Sequence, residues 1–319
     1  MSSRSTGQGM VSQVDTGAGC SAHVELAAAP RLSARLAAKV DARMSILWAV
    51  DDLGRVFRLD PTNGKVEFIP LQRHWHALQI VVSCSGKVWV TAWAAERRIY
   101  AVLKLSSDHS GWLCEVRSTS PYLIAGASTD DCWLLQGRSL TSTDHCFQSQ
   151  TSMLPFEAVQ ISEGLDGTLW AVGGERRRGG FAVWRRDQVS KDWFKLPQPA
   201  SAVRISGARD GTAWGANSHG DIWRFHPNGA GNFRECSADA NCRNCLYTPR
   251  KEAVRDLSVG PDGVVWFLSA ATAPNGYSIG RISNRASCTP LYPARRNGAI
   301  SIAASTTQAD GSLLSWKRQ

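Results

Sequence analysis

A tryptophan recurs at the end of the second strand of one repeated strand–turn–strand pattern. It appears in Ile46-Leu47-Trp48, Lys87-Val88-Trp89, Asp131-Cys132-Trp133, Thr168-Leu169-Trp170, Thr212-Ala213-Trp214 and Val264-Val265-Trp266. A seventh copy, Ser312-Leu313-Leu314, carries Leu in the Trp slot. The anchors stand 37 to 52 residues apart, the length of a four-stranded propeller blade. Residues Val203–Phe225 show the unit most fully, with alternating apolar residues, an Asp210-Gly211 turn, Trp214, a polar loop and a further strand. Asp-Gly favours a tight hairpin because its glycine accepts positive φ, and it precedes the anchor again at Asp166-Gly167, Asp262-Gly263 and Asp310-Gly311.

Third strands follow at Arg55–Leu59, Phe181–Arg185, Asp221–Phe225 and Ser278–Ile282, and fourth strands are exemplified by Lys65–Ile69. The expected fold is therefore one all-β domain, a seven-bladed β-propeller of four-stranded blades, with six blades as the alternative. Six full blades are assigned to residues 41–292, and residues 298–316 supply the first two strands of the closing blade. Residues 10–26 resemble a detached third and fourth strand and are expected to complete that blade, hiding its edges. Residues 30–40 carry helical spacing at Leu32, Leu36 and Val40 and are expected to form a short helical linker.

Composition narrows the setting. The 319 residues are 43% hydrophobic and 20% charged, as in a soluble globular protein, and no apolar run approaches the roughly 18 residues needed to span a bilayer. The first residues lack an apolar core of the Sec signal type, so the expected location is cytoplasmic, with an organelle interior as the alternative. The net charge of +9 favours acidic partners.

The stretches ISEGLDGTLWAV, RISGARDGTAWGANSHGDIWRF and LSVGPDGVVWFL resemble tectonin repeats. That resemblance implies a β-propeller that binds, either as a lectin or as an adaptor for other proteins. A second stretch, GRVFRLDPTNGKVEFIPL followed by HWHALQI, is similar to repeats of the streptogramin B lyase family, which implies a seven-bladed propeller with a magnesium site of Glu and His. The chain has no Glu-x-His pair, and Asp51 is the nearest acid to that family's Glu position.

Loops after second and fourth strands emerge on one face of a blade. This face is expected to gather His74, Trp75 and His76, then Arg97 and Arg98, then Arg176, Arg177 and Arg178, and finally Asn217 and His219. Gly173-Gly174 and Gly179-Gly180 flank the triple arginine and predict a mobile, presented loop. The basic face is the expected contact for acidic proteins or components of a larger complex, with glycans as the alternative. Nucleic acid is not expected, because neither a helix-turn-helix nor a stacked aromatic array accompanies the arginines. Cys236, Cys242, Cys245 and Cys288 offer the one spacing compatible with zinc, against free thiols or a disulfide. The chain has no Gly-x-Ser-x-Gly, His-Glu-x-x-His or Walker pattern, so it is expected to be a binding protein without catalysis and without cofactor.

Overall fold

Strands recur here because β-branched and aromatic residues alternate with polar ones, and Gly, Asn or Asp stands where the backbone reverses. The computed structural model describes residues 46–60, 65–83, 85–126, 129, 131–143, 151–226, 254–260, 263–273, 276–282, 288–290 and 301–305. They form six antiparallel sheets and, among the described residues, no helix.

Sheet one joins β1 (Ile46–Val50), β2 (Val56–Leu59) and β3 (Val66–Ile69), and its first strand is β24 (Ser301–Ser305). Sheet two is β4 (His76–Val82), β5 (Val88–Ala94), β6 (Ile99–Leu105) and β7 (Trp112–Ser118). Sheet three is β8 (Leu123–Gly126), β9 (Cys132–Gln136), β10 (Ser139–Ser142) and β11 (Ser152–Met153). Sheet four is β12 (Ala158–Glu163), β13 (Leu169–Arg177), β14 (Gly180–Arg186) and β15 (Trp193–Lys195), and β16 (Ser201–Ala202) also pairs with β14. Sheet five contains β17 (Arg204–Gly207), β18 (Ala213–Ala216) and β19 (Ile222–Phe225). Sheet six is β20 (Val254–Val259), β21 (Val265–Ala273), β22 (Gly276–Ile282) and β23 (Cys288–Pro290).

The first strands of the sheets touch in sequence, β24 to β4, β8, β12, β17, β20 and back to β24. This inner circle of six makes the described residues a propeller. Among the described residues the circle counts six sheets, against the expected seven. Residues 301–305 do not open a seventh sheet, because they pair antiparallel along β1, Ala303 opposite Trp48. The blade of Trp48 thus lacks a first strand of its own within the described residues, and a distant segment fills the slot. The proposed closing strands at 10–26, the helical linker at 30–40 and the strand at 312–316 lie outside the described residues.

Inner strands approach closely. A Cβ on Gly207 would stand 2.4 Å from the Gly164 backbone nitrogen, so this slot of β17 admits only glycine without displacing β12. Between sheets, Trp89, Trp170 and Trp266 are among the most deeply buried side chains. Their area supplies much of the driving force for stacking one sheet on the next. Cross-strand from the anchors stand basic residues: Arg58 opposite Trp48, Lys104 opposite Trp89, Arg185 opposite Trp170, Arg224 opposite Trp214 and Arg281 opposite Trp266. Lys104 places its ammonium 4.6 Å from the centre of the Trp89 ring, a cation–π contact. A buried indole N–H needs a local acceptor, and Trp133 has one in Glu163 Oε2 at 2.6 Å. Among the described residues, the indole N–H groups of Trp48, Trp89, Trp170 and Trp266 meet no acceptor.

The turns follow their sequence. Asp210 Oδ1 accepts the Thr212 amide at 3.1 Å and the Thr212 hydroxyl at 2.6 Å, and its Oδ2 meets Arg224. Burial alone would raise the Asp210 carboxyl, but the Thr212 bonds and Arg224 outweigh it and hold it below its ordinary value. A depressed folded pKa stabilises the fold above the unfolded carboxylate value near about 4 and loses that stabilisation as pH falls. The thermal midpoint of wild type should therefore exceed that of Asp210→Asn at neutral pH, and the gap should shrink below about pH 4. Deleting residues 301–319 should cost on the order of 3 kcal/mol or more, because sheet one loses its inner strand. A chain rearranged so that residues 298–306 precede residue 46 should recover most of that loss, read by chemical denaturation.

Candidate functional site

Antiparallel blades put the connections after second and fourth strands on one face, and the structure builds that face from short, bonded turns. Asp51, which ends the turn-facing side of β1, is buried and accepts the amides of Leu53 and Arg55 through Oδ1. Asn217 plays the same part after β18, accepting the amides of His219 and Asp221 at 2.9 Å each and donating from Nδ2 to Asp221. These Asx turns fix the loops locally. Contacts between sheets then lock neighbouring turns together. The Ala77 amide donates to Gly54 O at 3.0 Å, and the Ser218 amide donates to Gly179 O at 2.8 Å.

The second of these bonds brings the triple-arginine turn and the Asn-Ser-His turn side by side. The arginines differ in what they do. β13 runs through Arg177 and β14 begins at Gly180, so only residues 178–179 form the turn and no mobile loop presents the triplet. Gly179, at φ +91°, leaves room for Ser201 and Asn217, which a Cβ would meet at 3.0 and 3.4 Å. Arg177 folds inward, donating from Nη1 to Leu196 O at 3.0 Å and Ala200 O at 2.8 Å, with Glu175 3.5 Å from its Nε. It ties the connection that follows β15 to its own hairpin. Arg176 lies over the Phe181 ring at 5.6 Å and is exposed, as is Arg178.

Arg97 and Arg98 are exposed on the turn between β5 and β6, and Arg98 itself has φ 50°. Trp75 is buried, so it packs rather than presents itself, and the His74 ring lies 5.0 Å from it. His76 is exposed, its Nδ1 3.3 Å from Leu53 O. Asn217 is spent on its turn, whereas His219 is exposed. The structure therefore brings Arg176, Arg178 and His219 into one neighbourhood, and places Arg97, Arg98 and His76 on the sheet-two side of the same face. The opposite face mixes charges, with Lys65, Lys191 and Arg209 exposed beside its Asp turns. Asp108, Asp166, Asp187 and Asp210 sit in its turns, where Ser106 and the Ser110 amide hold the Asp108 carboxyl down at about 2.

Cys236, Cys242 and Cys245 lie outside the described residues, and Cys288 begins β23. Among the described residues no group of three or more His, Cys, Asp or Glu is placed to hold a metal ion. Among the same residues no helix is long and apolar enough to cross a membrane.

Sequence reasoning missed a belt of equivalent positions on the inner strands. The residue paired with the position two after each anchor is Gln79, Leu123, Gln160, Arg204, Asp256 or Ser301. In β4, β12 and β20 a β-bulge precedes this residue and aims it at the next sheet. Gln79 caps the next inner strand on both sides, donating to Ile124 O at 2.9 Å and accepting the Ile124 amide at 3.4 Å. Gln160 Oε1 accepts the Ile205 amide at 2.9 Å. The signal was present in the aligned repeats as a polar residue before an Ile or Leu, in ALQIVV, AVQISE, AVRISG and AVRDLSV.

No family model matches the chain, and no curated protein matches it. Among solved structures, the chain is similar to a streptogramin B lyase at 19% identity, with TM-score 0.52 and 83% of this chain and 85% of that chain covered. It is also similar to a chain of a nidogen/laminin complex at 11% identity, with TM-score 0.60 and coverages of 82% and 98%. TolB from Acinetobacter baumannii aligns at 11% identity, with TM-score 0.58 and coverages of 83% and 67%. These neighbours are β-propeller proteins, and the likeness shows the fold. They correct the expectation of a chain without catalysis, because the streptogramin B lyase is an enzyme on this same architecture. Absence of familiar catalytic motifs in the sequence does not set the chain apart from enzymes.

The division of labour among the arginines has a direct consequence. Replacing Arg177 with Met leaves two buried carbonyls without their charged donor and should cost about 2 kcal/mol. Arg178→Met, on the exposed turn, should stay within about 0.5 kcal/mol. Urea unfolding of the two variants beside wild type measures both.

Proposed function

We propose that the protein is a binding propeller whose face of second-to-third and fourth-to-first connections engages an acidic protein partner, as a scaffold or a subunit of a larger assembly. The observation that carries this reading is a cluster of exposed arginines on one face of the disc. Arg97, Arg98, Arg176 and Arg178 stand exposed on turns fixed by backbone and Asx bonds, whereas the other face mixes its Asp turns with exposed Lys65, Lys191 and Arg209. Rigid display lowers the ordering cost of binding, and a clustered positive potential steers an acidic partner to that side. Glu175 sits among these arginines, but Lys195 at 2.9 Å and Arg177 already engage it. One solved neighbour comes from a protein–protein complex, that of nidogen with laminin, which supports propeller-mediated assembly as a use of this fold.

A second reading, a tectonin-type lectin, draws support from one repeated feature. Trp48, Trp89, Trp170, Trp214 and Trp266 each stand cross-strand from a basic residue, giving blade-symmetric units of the kind repeated sugar sites require. Four of those five indoles are buried and Trp214 alone among them is half-exposed, which favours the protein-partner reading.

Affinity capture from the source cell separates the two. Bait carrying Arg97→Glu, Arg98→Glu, Arg176→Glu and Arg178→Glu should lose a defined set of acidic proteins that wild type retains. Wild-type capture should also weaken steeply as salt rises past about 0.15 M, since exposed charges are screened within about 8 Å there. Capture released by free sugar and indifferent to the four substitutions would replace this reading with the lectin.

A further inference from the structure

The hairpins between second and third strands differ in height, and the difference alternates around the ring. Counted along the third strand from the residue paired with the anchor Trp, the ladder runs from Lys104 to Ile99 in sheet two, Arg185 to Gly180 in sheet four and Arg281 to Gly276 in sheet six. It runs only from Arg58 to Val56 in sheet one, Ser142 to Ser139 in sheet three and Arg224 to Ile222 in sheet five. Rises of five residues thus alternate with rises of two or three. At about 3.4 Å per residue, the hairpins of sheets two and four overtop that of sheet three by about 7 Å. An aromatic braces each tall hairpin at the same step, four residues before the anchor's partner: Tyr100, Phe181 and Tyr277. Tyr100 packs on Trp93 at 4.4 Å, Phe181 lies under Arg176 at 5.6 Å, and Tyr277 lies under Arg255 at 5.6 Å.

Sheet three is therefore the floor of a saddle between two raised walls. One wall presents exposed Arg97 and Arg98, the other exposed Arg176 and Arg178. Their hairpins stand two sheet spacings apart, roughly 20 Å. The tight turn Gly137-Arg138 caps the floor, and both of its residues are exposed. Ser120, from the connection that enters sheet three, is held beside this turn by Gln136, whose Nε2 donates to Ser120 O at 3.2 Å. At the outer end of the floor Met153 pairs with Ser139 and is 64% exposed. Arg138 O accepts the Leu154 amide at 2.8 Å, which ties the turn to that end. Glu96 and Glu157 are also exposed around the saddle and Glu175 is engaged by Lys195, but the arginines outnumber these acids.

We propose that this saddle seats an acidic amphipathic helix of the protein partner, about three turns long. The site rests on the reading of the basic face given above and specifies the part of the partner that docks. A helix with its side chains is about 10–12 Å across, which leaves room for one layer of arginine side chains on either flank of a gap of roughly 20 Å. A single extended strand occupies about 5 Å between neighbours and is too narrow to meet both walls. Four strands at about 4.8 Å spacing make the floor about 15 Å deep, and three helical turns span about 16 Å. Carboxylates on the two flanks of the helix meet the arginines as charge-assisted pairs. The apolar stripe between them lies toward Met153, whose flexible thioether adapts to such faces. The valley over sheet one suits an acidic helix less, because Asp52 is exposed on its floor.

The test is fluorescence anisotropy with the full chain at about 0.15 M salt. The probe is a labelled, stapled helical peptide of about twelve residues, with Glu on both flanks and Leu between them. A diastereomer with alternate D-residues has the same charge and composition but cannot form the helix. Wild type should bind the stapled peptide, and the diastereomer at least about tenfold more weakly. Arg97→Met with Arg98→Met, and separately Arg176→Met with Arg178→Met, should each weaken the helix about fivefold, because both walls hold it. Ser120→Trp fills the floor without touching an arginine and should abolish saturable binding. Leu53→Trp puts similar bulk beyond the sheet-two wall and should leave the affinity unchanged. Equal binding of the two diastereomers, sensitivity to one arginine pair alone, or full affinity in a folded Ser120→Trp variant overturns the saddle, as does failure of wild type to bind the helix. If the variant of all four arginines still loses its acidic proteins in affinity capture while the saddle tests fail, the basic face stands and the helix site alone is removed.

Discussion

Everything in this propeller depends on how the inner strand of one sheet is bonded to the inner strand of the next. Hydrogen bonds within a sheet say nothing about its neighbours, and apolar stacking between sheets is tolerant of sliding. Directional bonds across the gap are not. Gln79 holds Ile124, Gln160 holds Ile205, Ser162 accepts the Gly207 amide at 3.0 Å, and Ser206 accepts the Val259 amide at 3.1 Å. Each satisfies a backbone group that would otherwise be buried unpaired at a strand edge, and each sets the register between two sheets. Sheet one has its inner strand from residues 301–305, so the two distant segments meet in the same circle.

The faces inherit their geometry from that ring. Once the inner strands are in register, the turns after second strands stand beside one another, and Ser218 can reach Gly179. A row of short turns with exposed arginines results. The same ring explains why adjacent arginines have different work. Arg177 lies at the level where the connection after β15 passes, and two carbonyls there claim its guanidinium. Arg178 lies one residue further, on the turn itself, and reaches solvent. Binding energy on such a surface comes from a few well-held groups rather than from the count of charges.

Much of the architecture was legible in the chain. Trp48 through Trp266 mark the second strands, and the Asp-Gly turns before Trp170 and Trp214 form as their residues demand, with Thr168 and Thr212 bonded to the turn Asp. Local periodicity and turn chemistry suffice for such features. The number of sheets was not legible, because the pairing of Ala303 with Trp48 joins residues more than two hundred apart and no local signal encodes it. The arginine triplet read as a loop since Gly173, Gly174, Gly179 and Gly180 flank it, yet β13 continues through Arg177. A register shift between Gly173 and Arg176 absorbs the glycines within the hairpin. The belt was visible as a column of polar residues, but its meaning required knowing which strand lies next to which.

Native-state hydrogen exchange at the Ile124, Ile205, Gly207 and Val259 amides tests the ring most directly. These four N–H groups are held by side chains of the neighbouring sheet, so each reports on the joint between two blades. A closed ring predicts that all four exchange only through global unfolding, with one common free energy and one common dependence on denaturant. Exchange of Ile124 at a distinctly lower free energy than the other three would mean that sheets two and three part on their own, and would contradict a ring held together by these bonds.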